Sequence, residues 1–534
     1  MNRTTVAAAV LTATALSLTA CGGTDGESTT ASDTTLRTPT DAGRCTDDKV
    51  GGTITMGEFA MLPTFAPGQG HYGVRGAAES AALYDRLMRW NAEAGQFEPQ
   101  LAESLEANDD NTVWTLTLRE GVRFSNGDPV TATDVAFTVD LHKDPATRSA
   151  ALTDALQVGS SRVVDDTTVE FTLTEPWSGF PILLSGAAGE VIPQQAYESA
   201  GPEQWARNPI GAGAFTLGSY IPDQEVVLEP NPTYYGGPVC PTLRFIRIPG
   251  GQATLDSMQS GEIEVGFLRG AKFVAAARDA DQQGFYEVIS SGSTVNMNSG
   301  AAGYDGILTD VRARAAIAHA IDRTLADQRL TGGLGQPTSA LLADSSRFYG
   351  GQEGPQYDPG KAQQLVEELK ADKPEWRGEL TLLVADAPEQ TEAGVILKAM
   401  LDAAGFSVQM ENAPVSQVIA RQFTGDYEIV IGGLATSDAD PASAFGSGLT
   451  PNGATNLTGI NDPRLTAAIA EIKAARSLED QKAAYNTLQE VHNTVIPFTV
   501  IANAEEYVIV DEAVKGVKPT LSSTMLFDGA YVEE

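Results

Sequence analysis

The first 21 residues decide where this chain must fold. Asn2 and Arg3 give a short, weakly basic head, and a small-residue apolar stretch from Val6 to Ala20 is closed by Leu18-Thr19-Ala20-Cys21. The stretch is shorter than the roughly 20 residues a spanning helix needs and is diluted by Thr and Ser, so residues 1–20 read as a removable export signal. Its Leu-x-Ala-Cys ending resembles the bacterial lipobox, in which the Cys21 thiol receives a lipid and becomes the new N-terminus. Gly22 to Arg44 contains Gly, Ser, Thr and Asp with one bulky apolar residue, Leu36. Such a segment buries too little surface to fold, so residues 21–45 read as a lipidated cysteine and flexible tether, with a reach of roughly 25–30 Å. The rest must then be a water-soluble globule held at the extracytoplasmic face of a cell membrane.

Hydrophobic residues make up 42% of the chain, enough for a real core, and the length favours more than one domain. Lys plus Arg number 35 against 70 Asp plus Glu, a formal net charge of −35. A surface that acidic repels phosphate backbones and anionic headgroups, which argues against nucleic-acid binding and electrostatic membrane docking. Beyond Cys21 the chain has Cys45 and Cys240, an even pair in an exported protein, and a disulfide is expected. Each precedes a strand-like run, Gly52 to Met56 and Leu243 to Ile248. If those strands share a sheet, the bridge fastens the end of the tether to the core, stabilising it by up to roughly 4–5 kcal/mol in the chain-entropy model.

Alternation predicts strands at Val113–Leu118, Val163–Leu173, Glu225–Leu228 and Leu380–Val384. Thr131 to Asp134 forms a capping-box pattern ahead of Val135, Val139 and His142. Asp310 is placed to cap a helix carrying Ile317, Ile321 and Leu325 on one face. Lys361–Leu369, Ala393–Ala404 and Leu478–His492 also read as helices. Strands and helices mix without strict alternation, so an α/β architecture with more than one lobe is expected.

From Ala102-Glu103-Ser104-Leu105 through Trp114-Thr115-Leu116 and Gly121-Val122-Arg123-Phe124-Ser125-Asn126-Gly127 to Thr131-Ala132-Thr133-Asp134-Val135, the chain resembles the signature of family 5 extracellular solute-binding proteins, the peptide- and nickel-binding class of ABC importers. Further matches follow in family order: Asn208-Pro209-Ile210-Gly211-Ala212-Gly213-Ala214-Phe215, Asn231-Pro232-Thr233-Tyr234-Tyr235, Ser260-Gly261-Glu262-Ile263, Ala318-His319-Ala320-Ile321-Asp322-Arg323 and Tyr357-Asp358-Pro359. The resemblance runs from about residue 50 to the C-terminus. It implies a two-lobed clamp of the periplasmic-binding-protein type (type II, cluster C-like). Lobe I would span 46–290 with 501–534 returning to it, and lobe II 291–500. Ligand would bind between them, hinge closure following from tighter binding to the closed form. The implied partners are a peptide or similar small solute and the ABC permease, with the protein a monomer held to the membrane by its N-terminal lipid. A nickel chelate or an oligosaccharide is the alternative ligand, and a ligand-sensing lipoprotein the alternative role.

In peptide-binding relatives an acidic residue in a segment ending Asp-Pro or Glu-Pro pairs with the ligand's α-amino group. Ala435-Thr436-Ser437-Asp438-Ala439-Asp440-Pro441 resembles that segment, with Asp438 the better match and Asp440 the second candidate, one residue shorter in spacing than the family pattern. Tyr72 and Asn298 stand where relatives line the cleft. Dipeptide binders place an Arg after the strand matching Leu380–Val384, whereas this chain has Ala385-Asp386-Ala387-Pro388, which leaves longer peptides or another solute open.

The sequence marks no enzyme. It has no GxxxxGK[ST] loop, GxSxG elbow or HExxH, and Gly68 to Gly73 fits GxGxxG only where prolines precede it instead of a strand. The four histidines, His71, His142, His319 and His492, are never at metal-ligand spacing. No cofactor or metal is expected.

Overall fold

The computed structural model describes residues 36–40, 42–68 and 76–533. Its frame is one large mixed sheet. The strands are β1 (Thr53–Glu58), β2 (Phe215–Ile221), β3 (Glu225–Pro230), β4 (Thr242–Arg247), β5 (Val265–Arg269), β6 (Gly284–Met297), β7 (Glu379–Ala385), β8 (Ser407–Ala413), β9 (Ile429–Gly432) and β10 (Phe498–Val510). Their spatial order is β8-β7-β9-β6-β10-β5-β1-β4-β3-β2, with Gln336–Pro337 also pairing β10. The sheet thus has two halves joined by the long antiparallel pair β6 and β10.

That pair is not continuous in register. Gly284 to Ile289 of β6 faces Ile509 to Ala504 of β10, and pairing resumes at Ser293 opposite Ala502, then Thr294 opposite Val500. Extra residues in a ladder bend the strand and increase its twist. The slip is held by specific contacts. Ser291 takes a positive φ of 52° and donates its hydroxyl to the Leu341 carbonyl at 2.7 Å. The Ser290 hydroxyl accepts from Ala343 N–H at 2.8 Å. Gly292 packs so closely that a Cβ there would lie 2.4 Å from Ala504 Cβ and 2.5 Å from its backbone nitrogen.

Around one half of the sheet, Phe215, Val226, Phe245 and Phe527 form a core with Leu83 and Tyr84 of the helix Ala77–Tyr84. A separate four-stranded sheet, ordered Ala102–Ala107, Val113–Leu118, Thr168–Leu173, Val158–Val163, packs on the helix Ala132–Leu141 through Trp114, Leu116, Val135, Val139 and Phe171. The other half is covered by helices Val311–Ala320, Pro359–Asp372 and Pro388–Ala403 through Ile317, Leu369 and Leu401. Helices Pro441–Leu449, Pro463–Ala474 and Leu478–Val495 enclose a further core of Phe445, Leu465, Tyr485 and Leu488.

Local expectations meet this frame in most places. The capping box at Thr131 and Asp134 forms in both directions. Strands β1 and β4 pair in parallel, Thr53 opposite Thr242, and Cys45 is joined to Cys240 with Cα atoms 5.9 Å apart. Two elements differ. Val163–Leu173 is a hairpin rather than one strand, because Asp165 turns the chain by accepting from Thr167 N–H at 2.9 Å. The helix after Asp310 ends at Ala320, and Ile321 is extended with ψ 109°. Asp322 then caps a second helix, Arg323–Leu330, through Leu325 N–H at 2.9 Å, and Leu325 is left exposed. The break is enforced by Arg323, buried and donating to the Val500 carbonyl at 2.8 Å and to the Thr499 hydroxyl at 3.0 Å.

Gly292→Ala is expected to lower stability by about 1–3 kcal/mol, the usual range for forcing extra volume into a packed site. Urea unfolding checks this. A variant as stable as the parent would mean that the close approach to Ala504 is not a constraint.

Candidate functional site

The register slip does more than bend the sheet, because its unpaired carbonyls bind the segment that carries both candidate aspartates. Leu434 N–H donates to the Ser291 carbonyl at 3.0 Å and Thr436 N–H to the Ser290 carbonyl at 3.1 Å. Pro441 and Asp440 then start the helix Pro441–Leu449, the Asp440 carboxylate accepting from Ala442 N–H at 3.2 Å. Asp438 and Asp440 therefore sit on a short rigid run between a strand bulge and a helix N-terminus.

Asp438 faces a cavity of about 480 Å³ that is also lined by Trp90, Glu93, Glu287, Ser346 and Ser523. The Ser346 hydroxyl donates to its carboxylate, and Arg347 Nε lies 3.9 Å from Oδ2. Burial pushes the Asp438 carboxyl up, against the pull of Ser346 and Arg347. Arg347 also donates to the carbonyls of Asp438 (3.2 Å), Ala439 (2.9 Å) and Gly95 (2.6 Å), with its guanidinium between the rings of Trp90 and Phe348, 4.7 and 4.4 Å from their centroids. One side chain thus fixes the aspartate run and grips the hairpin Met88–Pro99.

Asp440 is buried and bridges distant parts of the chain. Trp177 Nε1 donates to Asp440 Oδ2 at 2.9 Å, and the Lys473 ammonium lies 4.5 Å from the Trp177 ring centroid and 3.6 Å from Asp154 Oδ1. Ser443 donates to Asp154, and Ser178 N–H donates to the Lys473 carbonyl at 2.9 Å. Burial pushes the Asp440 carboxyl up to about 6, offset in part by Lys473 and Trp177. These residues border a second cavity of about 390 Å³, lined by Asp154, Asn296, Ser437, Asp440, Ser443 and Ser522. Asp438 and Ser523 line the first cavity and their chain neighbours Ser437 and Ser522 the second, so the two cavities adjoin as compartments of one cleft. A larger open groove of about 880 Å³, near Arg207 and Tyr220, contains neither aspartate.

Glu287 on β6 lines the first compartment. Its carboxylate accepts from Ser523 N–H at 2.5 Å and from the Ser523 hydroxyl at 3.0 Å, and it stands opposite Glu506 in the β6–β10 ladder. Burial, Glu506 and Asp438 push it up to about 7. The other candidates are placed elsewhere. Asn298 is fully buried, donating to the Gly425 and Tyr427 carbonyls at 3.0 and 2.9 Å and accepting from Gly300 and Ala301 N–H. It clasps a loop and lines neither compartment; Asn296, two residues earlier, does. Tyr72 and Cys21 lie outside the described residues. Among the described residues no group of three or more His, Cys, Asp or Glu is arranged to hold a metal ion, and no helix is long and apolar enough to cross a membrane.

The fold is that of the two-lobed periplasmic binding proteins. It matches Haemophilus influenzae OppA solved with the peptide RPPGFSPFR (TM-score 0.76, 21% identity, 91% of this chain and 99% of that one). It also matches Helicobacter pylori DppA solved with the peptide STSA (TM-score 0.76, 20% identity, 91% and 99%). In sequence, the Escherichia coli dipeptide-binding protein is 24% identical over 473 residues, 82% of this chain and 87% of its own length. A Brucella ovis protein described as an ABC transporter peptide-binding protein is 26% identical over 426 residues, 76% of this chain and 79% of its own length. Residues 96–456 match the bacterial extracellular solute-binding proteins, family 5 Middle, and the chain belongs to that family, one of binding proteins rather than enzymes.

Burial pushes several carboxyls above their ordinary range: Glu287 and Asp85 to about 7 and Asp440 to about 6, with Glu58 and Asp438 raised as well. Each binds a proton more readily folded than unfolded, so the folded state gains protons and stability as pH falls from 8 towards 6. His492, held down to about 4 by burial, opposes this below about pH 6.5, its ordinary value. The melting temperature is therefore expected to be higher at pH 6 than at pH 8, with a smaller difference in Glu287→Gln. Calorimetry across this range checks it; a melting temperature that rises steadily to pH 8 would contradict it.

Proposed function

We propose that this protein captures a peptide between two lobes and delivers it to the permease of an ABC importer. The lobes are residues 46–290 with 501–534, and 291–500, meeting where β6 and β10 slip in register. Family membership supports the role, and the peptides in the OppA and DppA structures support the ligand class. The observation that carries it is Asp438. Its carboxylate faces a compartment lined from both sides of the slip, fixed by Ser346 and Arg347, where it pairs with the ligand's α-amino group. Around it, backbone of an extended peptide has room to pair while side chains occupy the adjoining spaces. Trp177 with Asp440, Arg347 with Gly95, and Asp154 with Lys473 and Ser443 are among the contacts that hold the lobes shut.

The N-terminal features complete this reading. Export by residues 1–20, lipid on Cys21 and a tether keep the binding domain, as a monomer, at the outer face of the membrane within reach of the permease. The expected tether to residue 45 is shortened by its own end, where Arg37 pairs with Asp281 and Glu512 and Arg44 with Asp528.

Calorimetric titration and thermal shift with a tri- to pentapeptide library test the proposal. A peptide at 100 times its Kd is expected to add about 2.7 kcal/mol of stability. Asp438→Asn is expected to weaken binding at least 10-fold without lowering the ligand-free melting temperature. No response to any peptide, with a response to a nickel chelate or an oligosaccharide, would overturn it.

A further inference from the structure

The cleft is unusual in the sign of its charge. The first compartment is lined by Glu93, Glu287 and Asp438, and the second by Asp154 and Asp440. Among the described residues lining either compartment, none is Lys, Arg or His. Nearby cations are already engaged: Lys473 with Asp154 and Trp177, Arg269 with Glu506, and Arg347 chiefly with three backbone carbonyls. Glu287 has no ion pair among the described residues, yet it is held in one orientation by two hydrogen bonds from Ser523. A small inner cavity bordered by Ser523 is also lined by Glu58, 5% exposed, whose Oε2 has no hydrogen-bond partner among the described residues.

A preorganised carboxylate facing a cavity, backed by further carboxylates and without a counter-cation, favours a positive group at that spot. Asp438 alone accounts for one positive charge, the α-amino group. We propose that the Glu287 compartment takes a second one, so that the preferred ligand is a peptide with a Lys or Arg side chain near its amino end, and that Glu287 determines this specificity. The inference rests on the peptide reading above. It also implies that the α-carboxylate of a short zwitterionic peptide finds no basic partner among the described lining residues, which favours ligands long enough to carry it out of the cleft.

Glu287→Gln keeps the shape of the side chain and an oxygen that accepts from Ser523, so it removes the charge with little disturbance of the fold. The experiment is calorimetric titration of the full protein, parent and variant, with alanine tetrapeptides carrying Lys, Met or Glu at position one, two or three. Lys is expected to bind at least 10-fold tighter than Met at one of these positions and Glu more weakly than Met. In Glu287→Gln the Lys–Met difference should shrink to within 2- to 3-fold. Equal affinities for Lys and Met in the parent, or a Lys advantage that survives the substitution, would overturn this specificity and leave the peptide reading standing. Failure of every tetrapeptide to bind would overturn the peptide reading, and this inference with it.

Discussion

The site depends on one irregularity, the loss of register between β6 and β10 from Ile289 to Ser293. A regular strand between two neighbours offers alternate residues to each, so Ser290 and Ser291 could not both face the Leu434–Thr436 segment. The slip instead turns the Ser290 and Ser291 carbonyls towards it. A bend in two strands is also the place where a sheet shared by two lobes flexes, since few ladder bonds need to break there. On the proposed reading, hinge and ligand site are coupled by the same few atoms. Only Gly at 292 allows β6 to approach Ala504 this closely.

Electrostatics then shapes what the bend creates. In a chain with 35 more acidic than basic residues, most carboxylates stay solvated and contribute little. Those in the cleft are different because burial removes the water that would screen them. Glu287 and Asp440 are pushed up to about 7 and 6, Asp438 is raised, and the partners that temper them are single, oriented groups: Ser523, Trp177 with Lys473, and Ser346 with Arg347. Asp438 and Asp440 stand two residues apart and line adjoining compartments, yet differ in surroundings: the first is tied to Ser346 and Arg347, the second is buried against Trp177 near Lys473.

Much of the frame was readable because local chemistry and tertiary structure agree there. The Thr131–Asp134 box, the Glu225 and Leu380 strands and the long helix from Leu478 are each specified by a few neighbouring residues. Of the two misread elements, one hid a local turn at Asp165, and in the other a distant contact overrides local pattern, Arg323 reaching β10 and breaking an apparently continuous apolar stripe at Ile321. Asp438 and Asp440 were candidates because one short segment resembles the family's. Trp177, Arg347 and Lys473 were not, because nothing near them in sequence signals their partners: Trp177 and Asp440 are 263 residues apart. Glu287 was missed for another reason, since nothing in its local sequence marks it and its charge gains meaning only opposite Glu506 and beside Ser523.

All of this describes two halves drawn together across a charged crevice. Small-angle X-ray scattering of the protein alone and saturated with a bound peptide tests that picture most directly. A smaller radius of gyration with peptide, and no contraction when Asp438→Asn is given the same peptide concentration, is the result expected. An unchanged profile with a peptide that calorimetry shows to be bound would contradict it.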